Sequence, residues 1–269
     1  IWAAGDMQAR GFLIGGTAGR TTLSGEGLQH QDGHSHCMAA NVPNCLSYDP
    51  TYAYEVAVIV HEGLKRMYAR QENVFYYITV MNENYHQPAM PEGAEEGICR
   101  GLYLLRRGEE GQLRVQLMGS GTMQREVLAA ADLLRDDFGV QADVWSATSF
   151  NELARDGRRT DRWNLLHPDQ PPRQSWVARS LADAQGPVVA STDYVKAYAE
   201  QIRAWVPGSY TVLGTDGYGR SDLRGRLRRH FEVDRHYVAL AALKALADQG
   251  SVPVSRVLDA IAKYDIDVE

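Results

Sequence analysis

The sequence predicts an α/β protein of two domains, each built on a mostly parallel sheet flanked by helices. Short apolar runs rich in β-branched and aromatic residues alternate with longer segments of helical spacing, which is typical of parallel α/β units. Residues 84–97 interrupt this alternation with two prolines and no periodicity, and therefore predict a linker between the domains. The apolar fraction of 44% is sufficient for a substantial core in 269 residues.

Composition argues against several functional classes. The formal net charge of −6 and the pI near 5.8 are unlike those of a nucleic-acid-binding protein. No apolar run approaches the length of a membrane span. Three cysteines without a CxxC pair indicate reduced thiols. Since the chain opens with neither an initiator methionine nor a secretory signal, we expect a piece of a longer cytoplasmic protein that binds neither nucleic acid nor membrane.

The first half is predicted to contain a βαβ unit preceded by shorter elements. The spacing predicts a helix over residues 2–14 that ends at a glycine pair, a strand at 21–23, a short helix at 37–40 and a strand at 44–48. Asp49-Pro50 is a typical helix start, so the next helix is expected to begin there. Its predicted inward face consists of Ala53, Val56, Ala57, Val60, Leu64 and Met67. The run 74–81 predicts a strand buried on both faces.

The second half repeats the pattern of strand and helix. Strands are predicted at 102–105, 115–118, 142–147, 188–191 and 210–214. Helices are predicted up to Phe138, up to Trp205, over 224–246 with a break near Asp234, and over 255–264. Gly119-Ser120-Gly121 is interpreted as a tight βα turn, because it lacks the remainder of a phosphate-binding motif. The basic run 224–230 is interpreted as a solvated helix face or a subunit contact, because no aromatic residue lies within it.

Residues 23–36 predict a functional loop. This segment holds three of the eight histidines, two carboxylates and three glycines within fourteen residues. Glu26 lies four residues before His30, and a nearby carboxylate stabilises a protonated imidazole and selects its tautomer. The pair is therefore a candidate for proton transfer. The alternative is a surface turn with incidental histidines.

The same segment could instead bind a metal ion. His30, Asp32, His34 and His36 offer three imidazoles and a carboxylate, a set that suits zinc or iron. His-Ser-His would have to be extended for both rings to reach one ion, whereas the neighbouring glycines favour a loop. We therefore expect no metal on this segment.

Four segments in order resemble one enzyme family: residues 6–17, 26–36, 82–86 and 214–222. The family is the homodimeric bacterial pyruvate dehydrogenase, the decarboxylating first component of the pyruvate dehydrogenase complex, within the transketolase-like group of thiamine diphosphate enzymes. The version Gln-His-x-Asp-Gly-His-Ser-His at 29–36 favours pyruvate dehydrogenase over transketolase. The resemblance implies that residues 1–88 are the C-terminal part of a pyrimidine-binding domain and that residues 92–269 are a transketolase-like C-terminal domain.

The resemblance also implies an activity and its residues. The enzyme would decarboxylate pyruvate on thiamine diphosphate and reductively acetylate the lipoyl group of the acetyltransferase component, as a homodimer in the cytoplasm. His30 and Glu26 would be catalytic, while Asp32, His34 and His36 would support the loop. The family's magnesium motif and its activating glutamate are expected upstream of Ile1, so thiamine diphosphate and magnesium would be bound mainly outside this chain, which alone would be inactive.

Other functions remain as alternatives to this interpretation. Within the same class, the alternative is a transketolase-type ketol transfer. A rival from another class is a non-catalytic dimerisation or docking module, which would use the closing helices of the second half. A metal-dependent hydrolase would require a metal bound through His30, His34 and His36.

Overall fold

The computed structural model describes residues 1–268 and contains two sheets, which confirms the α/β class. The first sheet has the order β1-β3-β2, and its pairings are parallel. Its unit comprises α1 (Trp2–Asp6), β1 (Phe12–Gly15), α2 (Ser35–Ala40), β2 (Cys45–Tyr48), α3 (Ala53–Leu64), β3 (Phe75–Thr79) and α4 (Glu95–Arg100).

The second sheet has the order β4-β6-β5-β7-β8 and is parallel except for its edge strand β4. Its elements are β4 (Tyr103–Arg106), β5 (Arg114–Gly119), α5 (Met123–Phe138), β6 (Gln141–Ser146), α6 (Phe150–Leu166), α7 (Trp176–Ser180), β7 (Val188–Ser191), α8 (Lys196–Glu200), β8 (Tyr210–Leu213), α9 (Arg224–His230), α10 (Arg235–Asp248) and α11 (Ser255–Lys263). One face packs against α5, α10 and α11, and the other against α6, α7 and α8.

The segment between the sheets contains neither helix nor strand from residue 80 to residue 94. The predicted linker extended to residue 97, but α4 already begins at Glu95. The division into domains at residues 88 and 92 stays a prediction. Within residues 1–268, no helix is both long and apolar enough to cross a bilayer.

Two predictions for the first half are wrong. Residues 2–14 do not form one helix, because only Trp2–Asp6 is helical and Phe12–Gly15 is a strand paired in parallel with β3. The conformation of β1 is decided by its backbone hydrogen bonds to β3. The spacing of its apolar residues resembles that of a helix and does not reveal this pairing. Residues 21–23 are not a strand either; they are buried in a bend, where the backbone N–H of Thr21 donates to the carboxylate of Asp193.

The start and buried face of α3 also differ from the prediction. Asp49 is not its N-cap, since the helix begins at Ala53 with a capping box between Tyr52 and Glu55. The buried positions are Glu55, Ile59 and Gly63. Of the six residues predicted to point inward, Ala53, Ala57 and Leu64 are exposed, Val56 and Val60 are half-buried, and Met67 alone is buried.

Polar interactions explain why α3 buries a different face from the predicted one. The fully buried carboxylate of Glu55 accepts hydrogen bonds from Tyr103 Oη at 2.6 Å and from Ser146 Oγ at 2.7 Å. It also accepts the backbone N–H groups of Thr51 and Tyr52. An apolar periodicity cannot reveal a buried carboxylate that is satisfied by partners distant in the sequence.

Candidate active site

The carboxyl ends of the parallel strands from both sheets meet at one junction. The N–H of Asp49, after β2, donates to the carbonyl of Thr148, after β6, at 2.8 Å. The N–H of Gly121, after β5, donates to the Asp49 carbonyl at 3.1 Å. The N–H of Arg20, after β1, donates to the carbonyl of Asp193, after β7, at 3.2 Å. Since ligands of parallel α/β sheets bind beyond the carboxyl ends of strands, this junction is the candidate site.

The predicted turn at Gly119-Ser120-Gly121 forms part of this junction. Ser120 Oγ donates to Asp49 Oδ2 at 3.0 Å, and Thr51 Oγ1 donates to the Gly121 carbonyl at 2.8 Å. Gly121 has a φ of +49°, and a Cβ built there would lie 2.5 Å from Asp49 Oδ2. The glycine is therefore required both by its backbone conformation and by the close approach of Asp49.

Residues 16–34 form the histidine loop, which connects β1 to α2 across the junction. His30 lies at the end of a short 3₁₀ turn formed by Leu28–His30, in which its N–H donates to the Gly27 carbonyl. The side chains of His30 and Glu26 are both exposed. Among residues 1–268, neither side chain forms a hydrogen bond or an ion pair. The structure therefore places the two candidates on one exposed loop but does not join them.

The other predicted loop residues have different structural roles. Asp32 Oδ1 accepts from the N–H groups of His34 and Ser35 at 3.0 Å each, so this carboxylate caps the start of α2. His34 is exposed, and its Nδ1 lies 3.4 Å from Nη2 of Arg20. The loop thus ends in a capped helix that orients the residues before it.

His36 is completely buried. Its Nδ1 lies 3.2 Å from Ser47 Oγ and its Nε2 lies 3.0 Å from Thr79 Oγ1. The ring stacks on Tyr198 with a centroid distance of 4.7 Å. Burial lowers the pKa of His36 to about 3, so the ring is neutral at physiological pH. His30, His34 and His36 therefore do not face a common point, and residues 1–268 contain no cluster of three or more His, Cys, Asp or Glu residues suited to a metal ion.

A second loop from the other sheet holds the histidine loop in place. This strap loop, residues 214–223, follows β8. Gln31 Nε2 donates to the Arg220 carbonyl at 2.6 Å, and the Arg220 N–H donates to Gln31 Oε1 at 2.7 Å. The buried guanidinium of Arg20, itself part of the histidine loop, donates to the Gly217 carbonyl of the strap loop. In the sequence, residues 214–222 were recognisable only as one of the four segments that resemble the enzyme family. No local signal showed that Gln31 and Arg20 contact them.

Replacing Gln31 with leucine is expected to loosen the two loops. The change removes both hydrogen bonds to Arg220, and we expect a loss of about 1–3 kcal/mol in the free energy of unfolding. The measurement is a denaturant titration, with Gln29→Leu as the control because Gln29 is exposed on the same loop. Equal stability of the two variants would contradict the bridging role of Gln31.

A buried ion cluster lies beside the strap loop. Arg228 of α9 makes five hydrogen bonds, one for each guanidinium N–H: two to Glu83, one to Glu126, one to Thr122 and one to Thr21. The predicted solvated face over 224–230 is thus wrong at this position, because Arg228 is 5% exposed. Neighbouring Arg226 is exposed. The cluster connects the segment after β3 with α5 and α9.

Two family models match consecutive parts of the chain. Residues 1–88 match the pyruvate dehydrogenase E1 component middle domain, and residues 101–234 match the transketolase-like C-terminal domain. Among solved structures, the transketolase from Leishmania mexicana superimposes with a TM-score of 0.62 at 16% identity, covering 87% of this chain and 30% of the transketolase. An inactive β4 tetramer of a split-gene transketolase gives 0.60 at 18% identity, covering 88% of this chain and 67% of its own. At these identities the structural likeness shows the fold alone.

Curated relatives match the whole chain at much higher identity. The pyruvate dehydrogenase E1 component of Pseudomonas aeruginosa is 65% identical over 100% of this chain and 31% of its own length. The E1 component of Escherichia coli K12 is 62% identical over 100% of this chain and 30% of its own length. The chain therefore spans about a third of the length of these relatives. By the two consecutive domain matches and this identity along the full sequence, the chain belongs to the pyruvate dehydrogenase E1 component family.

Proposed function

We propose that this chain is part of a pyruvate dehydrogenase that decarboxylates pyruvate on thiamine diphosphate and reductively acetylates the lipoyl group of the acetyltransferase component. The observation that carries the proposal is the exposed His30, on the loop that lies beyond the carboxyl ends of the parallel strands of two sheets. It is supported by 65% identity to a pyruvate dehydrogenase E1 component along the whole chain.

His30 is proposed as the proton-transfer group. When bound, thiamine diphosphate supplies the electron sink for the loss of carbon dioxide from a 2-keto acid. Because His30 has no hydrogen-bonding partner within residues 1–268, its ring nitrogens are free to face a reactant. The ring can donate to the substrate carbonyl oxygen as negative charge develops there and can move a proton at that oxygen. Glu26 lies on the same exposed loop and can stabilise the protonated ring through space.

The remaining loop residues are proposed to position His30. Asp32 caps α2 and His36 anchors it, while exposed His34 has a smaller supporting role. The chemistry of the exposed donors, an imidazole and a carboxylate, fits proton transfer beside a cofactor. We propose that magnesium and most of the thiamine diphosphate are held by parts of the enzyme outside residues 1–268. We further propose that the enzyme acts on pyruvate, works with the lipoylated acetyltransferase component, forms a homodimer with a second copy of the chain and is located in the cytoplasm.

An activity assay tests the function directly. The full-length protein, supplied with pyruvate, thiamine diphosphate and magnesium, is expected to release carbon dioxide and to acetylate a lipoylated acetyltransferase component. The 269-residue chain alone is expected to release none. Ketol transfer between sugar phosphates without pyruvate turnover would contradict the proposal, as would full turnover by the 269-residue chain.

Replacing Glu26 with glutamine is expected to have a small effect on turnover and to shift its pH optimum downward. The carboxylate and the imidazole are both exposed and form no ion pair within residues 1–268, so solvent and salt screen the interaction between them, and we expect turnover to fall by less than about 5-fold. The direction of the shift follows from the proposed role of Glu26, since removing a negative charge near an imidazole disfavours the protonated ring. The measurement is the pH–rate profile at two ionic strengths, because salt weakens an exposed pair. A profile that is identical to the wild-type one would exclude this role for Glu26.

A further inference from the structure

A continuous chain of buried hydrogen bonds runs from α6 to the junction through His36. Its groups, in order, are the Asn151 amide, the Ser47 hydroxyl, the His36 ring, the Thr79 hydroxyl and the Asp49 carboxylate. All five residues are at most 4% exposed. The sequence separates them widely and gives no sign that they meet.

The direction of each hydrogen bond follows from the partners. Besides the His36 ring, the Thr79 hydroxyl lies within hydrogen-bonding distance of two acceptors, the Asp49 carboxyl group at 2.7 Å and the Tyr48 carbonyl at 3.2 Å. The hydroxyl must donate to one of these acceptors, so it accepts from Nε2–H of His36. At the other end, Asn151 donates to Ser47, which leaves the Ser47 hydroxyl to donate to Nδ1. The orientation of the Asn151 amide is set by Gln201 Nε2, which donates to Asn151 Oδ1 at 2.6 Å.

His36 is therefore held in a single tautomer, with the proton on Nε2. It lies in the first turn of α2, the helix whose start is capped by Asp32 at the end of the histidine loop. Thr79 is the last residue of β3, and Asp49 follows β2 and also binds Ser120 after β5. The hydrogen bonds thus join the base of the loop to three strand ends.

We propose that Thr79, with Asp49 behind it, is a positioning residue: its hydroxyl anchors His36 and thereby fixes the histidine loop that presents His30. The functional part of this inference rests on the proposed role of His30. The anchoring itself is a property of the fold and is measurable without turnover.

The test compares Thr79→Val with Thr79→Ser in the full-length protein. Valine has nearly the same shape but can neither accept from His36 nor donate to Asp49, whereas serine retains the hydroxyl. The readout is amide hydrogen exchange of residues 25–35, several of which are protected by hydrogen bonds of this loop. We expect exchange to rise about tenfold in Thr79→Val and to stay within about twofold of wild type in Thr79→Ser. Unchanged exchange in Thr79→Val would overturn the proposal.

A matched control separates anchoring from general destabilisation. Thr148→Val makes the same substitution at a completely buried threonine whose hydroxyl donates to the Ile98 carbonyl and not to the His36 chain. It should leave the exchange of residues 25–35 unchanged. A rise equal to that of Thr79→Val would show that the loop responds to any buried defect, and would refute the specific role of Thr79.

Two substitutions at His36 test the same anchor if Thr79→Val does not fold. The amide nitrogen of glutamine occupies the place of Nε2 and can still donate to Thr79, whereas that of asparagine lies near Nδ1. His36→Gln should therefore protect the loop better than His36→Asn, and the reverse order would contradict anchoring through Thr79.

Kinetics distinguish this inference from the proposed function. If both hold, Thr79→Val lowers kcat with little change in KM, and Thr79→Ser restores kcat. If loop exchange rises in Thr79→Val while kcat is unchanged, the anchor stands and the catalytic role of His30 is wrong.

Discussion

Replacement of His30 by alanine is expected to lower pyruvate turnover of the full-length enzyme by about 10²–10⁴-fold, the range for loss of a proton-transfer group. His30 lies on an exposed loop and forms no side-chain hydrogen bond within residues 1–268, so its removal should change the free energy of unfolding by no more than about 0.5 kcal/mol. Cofactor affinity should be nearly unchanged, because the main cofactor contacts are proposed to lie elsewhere.

His34→Ala is the matched control for this prediction. His34 is also exposed on the histidine loop, but it lies beside Arg20 at the base of the loop. Its removal should cost much less turnover than that of His30. The measurements are steady-state pyruvate oxidation in the reconstituted complex, cofactor titration and thermal unfolding of each variant. Near-normal turnover of His30→Ala, or a loss explained by unfolding, would exclude the proton-transfer role.

Arg228→Leu is expected to destabilise the protein by about 3 kcal/mol, the lower end of the range for removing one partner of a buried ion pair. Arg228 and Glu126 are 5% and 4% exposed, and the substitution removes the cation that both carboxylates share, leaving Glu83 with Arg125 and Glu126 with Arg235 as their remaining ion-pair partners. The measurement is a denaturant titration. The control is Arg226→Leu, two residues away on α9, because Arg226 is exposed and forms no ion pair within the described residues. Similar losses in both variants would contradict the importance of the cluster.

The acid side of the stability profile gives a second test of this cluster. Burial by itself would raise the pKa of Glu83 and of Glu126, but hydrogen bonds and charges from their arginine partners outweigh it and lower both pKa values. A carboxylate with a lowered folded-state pKa stabilises the protein above its unfolded pKa of about 4.3, and this contribution is lost as pH falls below that value. In Arg228→Leu the loss of stability on acidification should be smaller than in the wild type.

The sequence predicted most elements of the fold because their signals are local. The strands at β2, β3 and β5–β8 are short apolar runs, and the break at Asp234 is a true N-cap, whose carboxylate accepts the N–H groups of His236 and Tyr237. The strand β1 was missed, because its pairing with β3, 64 residues later, decided its conformation. The helix α6 was not predicted, although Ser149 caps its start.

The site could be predicted only in part. Glycines and histidines identified the loop, and motif resemblance identified His30 and Glu26 within it. The separate role of His36 could not be predicted, since an imidazole in the sequence does not show whether it will be exposed like His30 or enclosed by tyrosines. Arg20 and Gln31 were missed for a related reason, because their partners lie on a loop close to two hundred residues away.

That separation has a consequence during protein synthesis. The partners of Gln31 and Arg20 in the strap loop are 189 and 197 residues further along the chain. At about 5–20 residues per second, a ribosome adds this length in about 10–40 s. Throughout that interval the nascent histidine loop lacks the strap that holds it, and it can take up its final conformation only after β8 and residue 220 have left the ribosome.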